Sequence, residues 1–107
     1  MADDVITEIE NEIRDNKVMI YMKGTPSFPQ CGFSATTIEI FEELGRPFNS
    51  VDILSNPAKR EGIKRYSNWP TIPQVYIDGK FIGGCDIVRE MHQRGELKRL
   101  LDTSFGS

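Results

Sequence analysis

Residues 23–34, Lys23-Gly24-Thr25-Pro26-Ser27-Phe28-Pro29-Gln30-Cys31-Gly32-Phe33-Ser34, decide how the rest of the chain is read. A short apolar run, Val18 to Met22, precedes them and reads as a buried strand. A helical pattern follows from about Ser34 to Leu44 and is stopped by Gly45. Cys31 therefore belongs to a strand-to-helix turn near the positive end of a helix, where unpaired backbone N–H groups favour a thiolate. Ser34 stands where a C-x-x-C redox pair keeps its second sulfur. The turn offers a nucleophile or metal ligand but no local resolving thiol. A lone cysteine is often an inert buried hydrophobe; the strand-turn-helix context and nearby Lys23 argue for a functional one.

Working outward, the loop from Gly24 to Gln30 is longer than a bare strand-to-helix turn needs, and its two prolines stiffen the approach to Cys31. Upstream, Asp3 or Asp4 caps a first helix whose residues Val5, Ile6, Ile9 and Ile13 share a face, with Glu8, Glu10 and Glu12 read as a solvated face. Downstream, Thr37, Ile38, Phe41 and Leu44 line one side of the helix after Cys31. Phe48 to Ile53 is a weaker strand. Asn56-Pro57 then caps and opens a third helix carrying Lys59, Arg60, Lys64 and Arg65, the one basic concentration in the chain.

Val75-Tyr76-Ile77, Asp78-Gly79 and Phe81-Ile82 spell a β-hairpin with a tight turn, ended by Gly83-Gly84. A helix is predicted from about Asp86 to Arg94, with Ile87, Val88 and Met91 inward and Gly95 stopping it. Leu97, Leu100 and Leu101 mark a last short helix, with fraying expected over 103–107. The order β-α-β-α-β-β-α, with an extra helix at each end, predicts an α/β fold: a small mixed sheet covered on both faces. Its β-α-β start implies a parallel pair with a right-handed crossover, and the hairpin adds an antiparallel pair.

The 107 residues suit a single domain, 1–107. A net charge of −3 argues against a nucleic-acid partner. Two cysteines far apart in sequence make no extracellular disulfide framework, and no apolar run approaches the length of a membrane span. The acidic N-terminus resembles neither a signal peptide nor an Arg-rich transit peptide. A cytoplasmic protein is expected, bacterial cytosol first, with a processed mitochondrial matrix protein as the other reading. His92 lacks partners at metal-binding spacing and is taken as structural, and the cysteine count excludes a C-x-x-C zinc site.

Lys23-Gly24-Thr25-Pro26 together with Cys31-Gly32-Phe33-Ser34 resembles the monothiol glutaredoxins of the CGFS type, a group that includes the glutaredoxin-4-like and mitochondrial glutaredoxin-5-like proteins. The likeness continues through Trp69-Pro70-Thr71-Ile72-Pro73 and Gly83-Gly84-Cys85-Asp86 and so covers nearly the whole chain. It implies a thioredoxin-like (glutaredoxin) fold with a four-stranded mixed sheet flanked by helices, and a cis bond before Pro73. It also implies a glutathione site formed by Lys23, Cys31, Phe33, Arg60, Thr71, Ile72, Pro73, Gly84, Cys85 and Asp86. Residue chemistry suits that site. Lys23 and Arg60 can neutralise the glycyl carboxylate. Pro73, lacking an N–H, leaves the Ile72 backbone free to pair with a peptide. The N–H groups of Cys85 and Asp86 can receive the γ-glutamyl end. Each has a plainer reading too: Lys23 a snorkelling strand-end residue, Arg60 a solvated helix residue, Asp86 an N-cap, Phe33 and Trp69 rim or core aromatics. Cys85 is open between packing, a distant disulfide partner of Cys31 and a second ligand, with a place beside glutathione preferred.

Two functions follow from the resemblance. The first is a carrier in iron–sulfur cluster biogenesis, with Cys31 as catalytic and metal-binding residue. A [2Fe–2S] cluster usually takes four thiolates; one from each of two chains and one from each of two glutathiones complete the set. The second is a glutathione-dependent thiol–disulfide oxidoreductase working through Cys31 alone, weak because the loop before Cys31 is longer than in dithiol relatives. Partners implied are glutathione, a second copy when cluster-bound, a BolA-like protein, and scaffold and acceptor proteins of iron–sulfur assembly.

Overall fold

The computed structural model describes residues 2–106. They form α1 (Ala2–Asp15), β1 (Val18–Met22), α2 (Gly32–Leu44), β2 (Asn49–Asp52), α3 (Pro57–Ser67), β3 (Gln74–Ile77), β4 (Lys80–Gly83), α4 (Cys85–Gln93) and α5 (Glu96–Phe105). The strands make one sheet in the order β2-β1-β3-β4. β1 and β2 run parallel, while β1–β3 and β3–β4 are antiparallel. This is the mixed sheet that the order of elements predicts.

β1 is buried along its whole length because both of its faces are covered. Val18, Ile20 and Met22 pack with Ile38, Phe41, Val88, Leu97 and Leu101 from α2, α4 and α5. Met19 and Tyr21 pack on the other side with Ile9, Ile13 and Ile63 from α1 and α3. The period-two alternation of the strand thus feeds two separate cores. The hairpin turns through Asp78 (φ 53°) and Gly79 (φ 78°), both left-handed, as a two-residue type I′ turn requires. In α3, Asn56 accepts the Lys59 N–H at 3.1 Å and Pro57 opens the helix.

Several local expectations are corrected. α1 already runs from Ala2, so Asp3 and Asp4 are helical positions rather than caps; the side chain of Asp3 lies outside the described residues. Glu8 and Glu12 are not merely solvated. Lys59 pairs with Glu8 at 2.8 Å and with Glu12, and Glu12 also accepts the Tyr21 hydroxyl at 2.7 Å. Lys59 is accordingly buried, turned away from the other α3 cations, and this ion pair ties α1 to α3. β2 is shorter at both ends than expected.

Ile87 is exposed rather than inward, although Val88 is buried as expected. Residues 103–105 do not fray. α5 continues to Phe105, which packs on the core beneath the Lys17 and Arg46 side chains, and Lys17 Nζ donates to the Ser104 carbonyl at 2.8 Å. Ser107 lies outside the described residues. No described helix is long and apolar enough to cross a membrane.

Candidate functional site

The Cys31 loop is a constrained piece of backbone. Gly24 sits at φ 89°, and a Cβ there would lie 2.4 Å from the Phe28 carbonyl oxygen, so only glycine fits. Its N–H donates to Asp52 Oδ1 at 2.9 Å, and the same oxygen accepts the Leu54 N–H at 2.9 Å. The end of β2 thereby clamps the start of the loop. Burial opposes ionisation of Asp52, but its bonds to the Gly24 and Leu54 N–H groups and to Ser55 outweigh it and hold the carboxyl below the ordinary range. Thr25 and Phe28 bond reciprocally, Phe28 N–H to the Thr25 carbonyl at 3.0 Å and Thr25 N–H to the Phe28 carbonyl at 3.3 Å. The Gln30 N–H returns to the Lys23 carbonyl at 2.9 Å. This closed turn delivers Cys31 to a fixed place.

Cys31 is the N-cap of α2 itself, with extended backbone (φ −151°, ψ 135°). The helix begins at Gly32, two residues earlier than expected, so the sulfur is nearer its positive end. The thiol is held below its ordinary value, first by the Ser34 backbone N–H; against the opposing effect of partial burial, the Phe33 N–H, the Lys23 charge and the Ser34 hydroxyl add to it. Cys31 is partly exposed and remains a free thiol, as does the buried Cys85. Ser34 is fully buried, and its Oγ accepts the Lys23 N–H at 3.1 Å.

A cleft of about 480 Å³ opens beside Cys31. Lys23, Arg60 and Lys64 supply cations along it, and Phe33 and Ile87 give it an apolar rim. The segment Trp69–Pro73 forms one wall, with a cis bond between Ile72 and Pro73. The pairing of β3 with β1 ends at Tyr21↔Gln74, so Ile72 lies beyond the ladder and Pro73 has no N–H to extend it. Gly84, Cys85 and Asp86 at the start of α4 form the opposite end. Gly84 is the N-cap there, not Asp86, whose side chain is 84 % exposed. A Cβ on Gly84 would stand 3.2 Å from the Pro73 carbonyl oxygen and 3.6 Å from Trp69 Nε1. Glycine lets the helix N-terminus rest directly on the loop.

A glutaredoxin family model matches residues 18–82. A monothiol glutaredoxin of Synechocystis is 50 % identical over 99 residues, covering 92 % of each chain. The chain belongs to the monothiol glutaredoxin family. Glutaredoxin 4 of Escherichia coli K12 is 49 % identical over 96 residues, 90 % of this chain and 84 % of that one. The solution structure of reduced apo GrxS14 from poplar superposes with a TM-score of 0.81 at 48 % identity, covering 94 % of this chain and 93 % of its own. The fold is the glutaredoxin variety of the thioredoxin-like fold.

All ten residues that the resemblance assigns to the glutaredoxin glutathione site line this one cleft. Residues as distant in sequence as Lys23 and Asp86 are brought together by the parallel crossover and the hairpin. Lys64 and Ile87 also line it and were not foreseen. Lys64 follows Arg60 by one helical turn, so its i+4 spacing was the available signal. Asp52 holds the Cys31 loop without lining the cleft, and a lone polar residue at a strand end carries no spacing that marks it. Among the described residues, no three or more His, Cys, Asp or Glu gather where they could hold a metal ion. His92 lies across from Glu43 at 3.4 Å.

Proposed function

We propose that this glutaredoxin binds glutathione in the cleft and, as a homodimer, carries a [2Fe–2S] cluster as cargo for iron–sulfur cluster biogenesis. The observation that carries the reading is the setting of Cys31: one partly exposed, easily ionised thiol at the end of a cleft with cations on one side and a helix N-terminus on the other. A volume of about 480 Å³ suits a tripeptide. Its glycyl carboxylate would meet Lys23, Arg60 and Lys64. Its backbone would pair with Ile72 as an added strand. Its γ-glutamyl end would take the free N–H groups of Cys85 and Asp86, with the Asp86 carboxylate facing the ammonium. That arrangement sets the glutathione sulfur beside Cys31.

Ligand counting supplies the dimer. A cluster that wants four thiolates gets one from Cys31 and one from the glutathione beside it, so a second copy must bring the other pair. The exposed apolar rim of Phe33 and Ile87 is what a second chain would cover. Half the ligands exchange with free glutathione, which suits a cluster meant to be handed on. Cys85 is not required as a ligand. A BolA-like partner that replaces one copy, and scaffold and acceptor proteins, belong to the same reading and rest on kinship alone; a cytoplasmic location is proposed with it on the cysteine usage and composition of the chain.

Anaerobic reconstitution with iron, sulfide and glutathione tests it. A coloured product that needs glutathione, is lost in Cys31→Ser and survives in Cys85→Ser is expected. Colour that needs both cysteines and no glutathione would refute the ligand set.

The lowered Cys31 thiol also favours a second reading, glutathione-dependent exchange. Its thiolate would attack the disulfide of a glutathionylated protein, forming the Cys31–glutathione bond and releasing the protein thiolate. A second glutathione thiolate would then free Cys31 as glutathione disulfide leaves. Slow turnover against a dithiol relative is expected, and equal turnover would make exchange the main activity.

A further inference from the structure

We infer that Gln74 is a positioning residue for the peptide-binding edge: its buried amide fixes the segment 69–71, and through it the Ile72 backbone and the seat of α4. The inference rests on the glutathione reading above.

Gln74 is 0 % exposed and heads a strand whose other residues, Val75, Tyr76 and Ile77, are buried as well. Such a residue is kept only where its polar atoms are satisfied. They are. Nε2 donates to the Trp69 carbonyl at 3.0 Å and the Thr71 carbonyl at 3.3 Å, and Oε1 accepts the Tyr76 hydroxyl at 3.0 Å. One amide orientation alone serves all three, because a flipped amide would set its oxygen against two carbonyls.

The wall of the cleft needs this tie. Residues 69–73 lie between α3 and β3 and belong to no ladder, and Pro70 and Pro73 have no N–H to contribute. Trp69 is held from the other side by its own N–H, which donates to Ser67 Oγ at 3.1 Å. Its indole lies against Phe81, ring centroids 5.6 Å apart, and Gly84 rests close to its Nε1. One amide therefore links the Ile72 edge to the α4 N-terminus, the two places where an extended peptide would be gripped by backbone. A ligand that binds only the ordered wall loses apparent affinity in proportion to the time the wall is not ordered.

The test is an NMR titration of the 15N-labelled full chain with S-methylglutathione, a probe that cannot enter thiol exchange. The wild type should saturate, with shifts at the Gln74 side-chain NH2 and the Trp69 backbone N–H. Gln74→Leu and Gln74→Glu should bind about tenfold more weakly, the loss expected when buried carbonyls lose their donor. The pH midpoint for Cys31 alkylation should not move in either variant, since it is set at the α2 N-terminus. Should both variants fail to fold, Tyr76→Phe removes the donor to Oε1 while keeping the ring, and should weaken binding by about threefold. Unchanged affinity in a folded Gln74 variant or in Tyr76→Phe, or unmoved Gln74 side-chain signals at saturation, would overturn the inference while leaving glutathione binding intact. A wild type that never saturates would overturn the glutathione reading, and this inference with it.

Discussion

The backbone N–H of Lys23 donates to the buried hydroxyl of Ser34 at 3.1 Å. The position at which dithiol relatives keep a second sulfur thus serves here as a bracket between the end of β1 and the first turn of α2. Ser34→Ala would strip the Lys23 N–H of its acceptor at a fully buried position. The variant should lose about 1–3 kcal/mol of stability, read as a lower urea midpoint at unchanged slope. It should also raise the Cys31 pKa, because the hydroxyl favours the thiolate. A midpoint equal to that of the wild type would show that the bracket carries no weight.

Cys31 should titrate below an ordinary thiol, measured as the pH midpoint of its alkylation rate. Lys23→Gln should move that midpoint up only slightly, since the Ser34 N–H, not the Lys23 charge, is the leading cause. Between the folded value and about 8.5, the thiol of an unfolded chain, the unfolded state holds the proton and the native state does not. The stability of the reduced wild type relative to Cys31→Ser should therefore rise with pH across that window and fall away as pH drops through the folded value. A flat difference would mean that the helix N-terminus does not act on the sulfur.

Asp52 anchors the Gly24 N–H from the end of the neighbouring strand. Asp52→Ala should destabilise the fold by about 1 kcal/mol by removing the acceptor of the Gly24 and Leu54 N–H groups, with faster amide exchange at Gly24 and Leu54 than in the wild type. The folded carboxyl lies below the unfolded value of about 3.9. Its stabilisation should be complete above that pH and vanish as pH falls through the folded value. Unaltered exchange at Gly24 would place the loop's rigidity elsewhere, in the Thr25–Phe28 turn.

Much of this was legible in the chain because the signals are local. Asp78-Gly79 announces the hairpin by the left-handed angles both residues adopt, and Asn56-Pro57 announces a helix start by its cap. Cys31 could be placed at a helix N-terminus from the strand before it and the periodic run after it. What escaped depends on packing between distant elements. Glu8 and Glu12 have the spacing of any solvated face, and only the approach of α3 brings Lys59 onto them. Ile87 fits the apolar stripe of α4, yet it lies at the end where the cleft opens, so it faces outward. Residues near a chain end are expected to fray, but Phe105 is covered by Lys17 and Arg46 from far along the chain.

Native mass spectrometry of the protein reconstituted with iron, sulfide and glutathione counts chains, clusters and glutathiones in a single assembly. One assembly of two chains, one [2Fe–2S] unit and two glutathiones is expected, which falls apart into apo monomers when glutathione is removed. A cluster held by a single chain, or by two chains with no glutathione in the assembly, would contradict it.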